Sequence, residues 1–135
     1  MRVFLGGTCN KTTWRSELIP MLEVDHFDPV VKDWTPADQQ RELEERETCD
    51  YCLYVITPKM TGVYSIAEAV DDSNKRPEKT IFAPLQQDDK SEFDPGQWKA
   101  LQAVANMVSE NGGKVFLTLS QVAAYLNNKQ RRSTL

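Results

Sequence analysis

The sequence predicts an α/β fold in three layers, with a five-stranded parallel sheet between two helical layers. Three observations lead there. Short apolar runs alternate strictly with segments of helical periodicity, five of each. The strongest strand signal, Tyr51 to Ile56, is apolar or aromatic throughout without alternation, as a strand buried on both faces must be. A length of 135 residues suits one domain, taken as residues 1–135.

The elements follow in order. Val3, Phe4 and Leu5 form a first buried strand that stops at Gly6 and Gly7. Trp14, Leu18, Met21 and Leu22 then recur at helical spacing, and Pro20, which lacks an amide donor, must kink or shorten that helix. Residues 26–31 read as a second strand marked by Pro29, followed by a loop through Asp33 and Trp34. Thr35, Pro36 and Asp38 supply a hydroxyl cap, a first-turn proline and an early carboxylate, the order that starts a helix. That helix has Leu43 as almost its only large apolar residue, so it must lie outside or be held by its ends.

After the central strand, Pro58 marks a loop and residues 64–72 a short helix with Ile66, Ala67, Ala69 and Val70 on its apolar side. Residues 79–85 make a fourth strand that runs into an acidic, glutamine-rich loop reaching Pro95. Trp98, Leu101, Val104, Ala105 and Val108 mark a helix closed by Asn111, Gly112 and Gly113. Residues 114–117 form a fifth strand, and Leu119, Val122, Ala123 and Leu126 a last amphipathic helix. The basic run ending at Arg132 reads as a solvated end.

Five alternating units with right-handed crossovers most often take the flavodoxin-like strand order 2-1-3-4-5. Ligands of such a sheet bind beyond the carboxyl ends of strands one and three, here the loops of residues 6–12 and 57–62. A net charge of −4 offers no general attraction to nucleic acid or anionic lipid. No apolar stretch is long enough to span a bilayer and the first residues lack the pattern of a secretion signal, so a cytoplasmic location is expected. Three cysteines argue against a disulfide framework. Cys49 and Cys52 have redox spacing but run into a strand instead of opening a helix, and together with Cys9 and His26 they match no zinc pattern. Neither metal nor cofactor is expected.

Gly6, Gly7 and Thr8 leave the first strand with little bulk, so a phosphate or sugar could approach their backbone, although the same residues suit a plain tight turn. Glu68 stands near the start of a helix at the ligand-binding edge, where the helix N-terminus favours a charged carboxylate; by pattern alone it also fits an exposed face shared with Asp72. Trp14 beside Arg15, and Asp33 beside Trp34, each set an aromatic ring next to a charge, suited to stacking on a base and forking onto an anion, although Trp14 also fits the core and Arg15 solvent. Asp50 precedes the central strand and could face the opposite end of the sheet.

Together these pieces resemble the nucleoside 2-deoxyribosyltransferase-like superfamily. The resemblance rests on residues 3–8, on residues 27–34 with Asp28 and Trp34, on Cys49 and Asp50 before an apolar strand, and on residues 61–70, and it covers roughly residues 2–85. It implies a double displacement on a nucleoside or nucleotide: Glu68 attacks C1′ of the sugar, Asp50 assists the departing base, and another base or water takes the glycosyl group. It also implies a homo-oligomer and no cofactor. In the family a first-strand tyrosine orients the nucleophile, where this chain has Phe4, with Tyr64 a substitute. Gly62 stands where transferases have an aspartate and nucleotide hydrolases a serine, leaving Thr61 or Ser65 for the sugar's 5′ group. These departures keep two readings open, an N-glycosyl transferase or hydrolase and a catalytically weak nucleotide-binding sensor of the same fold.

Overall fold

A computed structural model of the chain describes residues 1–134. Its strands are β1 (Arg2–Gly7), β2 (Asp25–Phe27), β3 (Tyr51–Ile56), β4 (Thr80–Pro84), β5 (Gln87–Asp88), β6 (Ser91–Glu92) and β7 (Lys114–Val115). The helices are α1 (Trp14–Leu18), α2 (Pro36–Thr48), α3 (Tyr64–Lys75), α4 (Pro95–Glu110) and α5 (Leu119–Ser133). The main sheet is all parallel in the order β2-β1-β3-β4-β7, the expected flavodoxin-like arrangement. Its last strand is the seventh in the chain because β5 and β6 form a small antiparallel hairpin inside the glutamine-rich loop.

Side-chain alternation along β1 and β3 divides the core in two. Val3, Leu5, Leu53 and Val55 pack against Trp14 and Leu18 of α1 and Val122 and Leu126 of α5. Phe4, Cys52, Tyr54 and Ile56 face Ala69 of α3 and Leu101 and Val108 of α4. Both faces of the central strand are therefore dry, which accounts for its unbroken apolar sequence.

Several expectations are corrected. Pro20 limits α1 to five residues, and a 3-10 turn over Ile19–Met21 completes that segment. β2 ends at Phe27 because Pro29 cannot donate to the ladder, and Val30 and Val31 lie exposed beyond it. The basic run forms the last turns of α5 and is solvated there as expected, with the Arg131 side chain 68% exposed and its Nε donating to Glu23 Oε1 at 3.2 Å. Among the described residues, no helix is long and apolar enough to cross a membrane.

Candidate active site

The loops after β1 and β3 open onto a cavity of about 580 Å³ at the carboxyl edge of the sheet. Its floor is the turn of Gly6, Gly7 and Thr8. Gly7 has φ 120°, and a Cβ there would stand 2.0 Å from the carbonyl oxygen of Val55, so a side chain would force β1 away from β3. At Gly6 a Cβ would meet the rings of Tyr54 and Phe4 at 2.8 and 2.9 Å. Thr8 is tied down on both sides: its amide donates to Val55 O at 2.9 Å, and its hydroxyl accepts the Thr57 amide at 2.9 Å.

Glu68 lines this cavity from α3 and is only 8% exposed. Asp72, one helical turn on, shares the inward face and is completely buried, which corrects the alternative of a solvated acidic face. Burial pushes the Glu68 carboxyl up to about 7; Arg46 opposes that rise, and the nearby charges of Glu42, Asp72 and Asp71 add to it.

Arg46 of α2, itself 4% exposed, lies between these acids. Its Nη1 is 3.5 Å from Glu68 Oε2, while Nε and Nη2 donate to Asp72 at 3.2 and 2.9 Å and Nη2 also reaches Asp71 at 3.0 Å. Asp72 also accepts from the Tyr54 hydroxyl and, at 2.6 Å, from Arg76 Nη2. Burial works against the Arg46 charge, but the bonds and charges of its partners more than offset this, so its pKa lies above the ordinary value.

Glu42, one turn before Arg46 on α2, also lines the cavity. Burial raises its pKa, opposed by a hydrogen bond from Trp34 Nε1 to its Oε1 at 3.1 Å. Neither Glu42 nor Arg46 was singled out from the sequence. The available signal was their spacing on a helix almost without apolar residues, a stripe that faces the sheet with charge instead of hydrocarbon.

The other expected site residues divide. Gly62, just before α3, and Tyr64 and Ser65 in its first turn line the cavity, as does Trp34. Trp34 and Tyr64 are 51% and 57% exposed, leaving ring surface free for a ligand. Arg15 borders the cavity, but its guanidinium is engaged with the turn, Nε and Nη2 donating to Leu5 O at 3.1 and 2.9 Å and Nη1 to Thr8 O at 2.8 Å. Asp28 lies 3.4 Å from Arg15 Nε and outside the lining. Trp14 is a core residue, not a binding surface, with its indole N–H donated to Thr8 O at 2.8 Å.

Asp50 lies at the other end of β3, where its carboxylate accepts the Arg2 amide at 2.8 Å. The strand separates it from the cavity by roughly 20 Å. The structure thus corrects its expected role beside Glu68, because a carboxylate at an amino edge cannot reach a ligand at the carboxyl edge. The group paired with the Glu68 carboxylate is Arg46, not a hydroxyl from the first strand, where Phe4 stands. Cys49 and Cys52 are buried with thiols pushed up to about 12, by burial first.

A parallel five-stranded sheet with a buried carboxylate and a glycine turn lining one cavity at its carboxyl edge defines a doubly wound α/β protein with a cavity where sheets of this kind bind their ligands. Residues 1–84 match the family described as nucleoside 2-deoxyribosyltransferase like, and the chain belongs to that family. The matched span holds every residue that lines the cavity, from Phe4 to Glu68. Comparison with curated proteins gives no match.

Proposed function

We propose that the protein cleaves the N-glycosidic bond of a nucleoside or nucleotide, with transfer of the sugar to a second base where one is present, through a glycosyl ester on Glu68. The observation that carries this reading is the Glu68 carboxylate, buried in the cavity wall beside the glycine turn at the ligand edge of the sheet. Such a turn lets a sugar approach the backbone closely, and the exposed rings of Trp34 and Tyr64 offer stacking surfaces for the base.

In the first step a Glu68 oxygen forms a bond to C1′ while the C1′–N bond breaks and its electron pair leaves with the base. Glu42 is the proton donor to that base, in place of Asp50, because it faces the same cavity and burial favours its protonated form. In the second step Glu42, now a carboxylate, takes a proton from water or an acceptor base, whose oxygen or nitrogen attacks C1′. The Glu68 ester bond breaks and its carboxylate is restored. The reaction needs Glu68 charged and Glu42 protonated, so kcat/KM should follow a bell in pH, falling on the acid side as Glu68 takes a proton and on the alkaline side as Glu42 loses one.

Chromatography of nucleosides and their 5′-monophosphates incubated with the protein, with and without an acceptor base, tests this. Glu68→Ala should lower turnover about a thousandfold or more, and Glu42→Gln about a hundredfold or more. Undiminished turnover in Glu68→Ala would end the assigned chemistry. A second reading, a binding module with little activity, is favoured by Phe4, whose ring brings no hydroxyl to the cavity wall; tight ligand binding with no base released would select it.

A further inference from the structure

We propose that Arg46 is the positioning residue for Glu68, a fixed cation that keeps the buried carboxylate charged and oriented, and that Asp72 sets how strongly it acts. The inference rests on the functional reading above for its consequence in catalysis, but the ion pair itself is read from the geometry.

Glu68 is buried, and burial by itself would neutralise it. A nucleophile must be charged, so some group has to counter the lost hydration. Phe4 and Ile56, the neighbouring wall from β1 and β3, offer only hydrocarbon, and Gly6 offers no side chain. The charged groups that bear on Glu68 are Arg46 and Glu42 from α2 and Asp71 and Asp72 from its own helix. Arg46 is the one cation of the four, and its Nη1 stands 3.5 Å from Glu68 Oε2.

The guanidinium is not free to follow the carboxylate. Two of its nitrogens fork onto Asp72, and Asp72 is immobilised in turn by Tyr54 and Arg76. The Arg46 backbone is anchored as well, since its carbonyl accepts the Cys52 thiol at 3.2 Å. One edge of a planar cation is therefore clamped to the core while the remaining nitrogen faces Glu68, a geometry that a flexible ammonium would not reproduce. Asp72 acts on Glu68 in two ways that add: it shares the Arg46 charge, and it repels Glu68 directly.

The experiment is a titration of the Glu68 carboxyl carbon by NMR in protein carrying 13C-labelled glutamate, assigned by the signal lost in Glu68→Gln. It compares the native chain, Asp72→Asn, and the double variant Arg46→Gln with Asp72→Asn, which removes the cation without leaving Asp72 as a second unpaired buried charge. The two variants should move in opposite directions. The Glu68 midpoint should fall in Asp72→Asn and rise in the double variant by about one pH unit or more. With the best cleaved nucleoside, the pH profile of kcat/KM should be displaced in opposite directions in the two variants. Glu68 midpoints that coincide in all three proteins would overturn the proposal. If the double variant does not fold, Asp72→Asn decides alone, an unchanged or raised midpoint overturning it. Opposite shifts in a protein that cleaves no nucleoside would uphold the ion-pair role and reject the functional reading instead.

Discussion

At Gly7 the backbone has φ 120° and lies against Val55, so the turn that floors the cavity exists only with hydrogen in place of a side chain. Gly7→Ala should therefore lose at least about 3 kcal/mol in urea unfolding. Gly62→Ala, where a Cβ would meet nothing within 4 Å, should stay within about 0.5 kcal/mol of the native chain. If the two variants were equally destabilised, the packing described for the turn would be wrong. The contrast was only half legible beforehand. A glycine pair ending a strand announces a turn, but its neighbour across the ladder comes from residues 48 positions away, at Val55. Glu68 stands out because of where its helix begins, whereas nothing in the local pattern marks Arg46, since its partners Asp71 and Asp72 lie on another helix.

Among the elements, α2 is the one with an unusual source of stability. Its single large apolar residue, Leu43, is exposed, and the helix is held at its ends. Thr35 and Asp38 form a capping box at the start, and Arg46 joins the buried ion cluster near the finish. Thr35→Ala should destabilise the protein by about 1 kcal/mol, and Leu43→Ala by less than about 0.5 kcal/mol. Thermal unfolding of both variants checks the order, and a larger loss from Leu43→Ala would show that the helix is held by its apolar face after all. The cap was readable as a local pattern of residue types. The anchor at the other end was not, because it depends on how α2 and α3 lie together on one face of the sheet.

For the whole molecule, the buried acid makes stability depend on pH. Folding raises the Glu68 carboxyl from its ordinary 4.5 to about 7, so the folded chain holds this proton more tightly than the unfolded chain does. That contribution is fully present below 4.5 and is lost as the pH rises through 7. Glu68→Gln should therefore be more stable than the native chain at about pH 8, by on the order of 2 kcal/mol. The gap should narrow as the pH falls towards 4.5, with Arg46 still paired to Asp72 and Asp71. Parallel urea curves at several pH values check this, and a gap that stayed constant would contradict the burial of Glu68.

The sequence by itself determined the alternation of strands and helices, the parallel order that follows from it, the sheet edge that carries the glycine turn and the carboxylate that stands there. These are consequences of local periodicity and chain connectivity, which act within a few tens of residues. Tertiary structure alone decided which charges meet. It placed Arg46 and Glu42 beside Glu68, turned Trp14 into the core, and left Asp50 at the far end of its strand. Coulomb and desolvation energies depend on distance through space and on burial, and neither quantity is written in the spacing of residues along the chain.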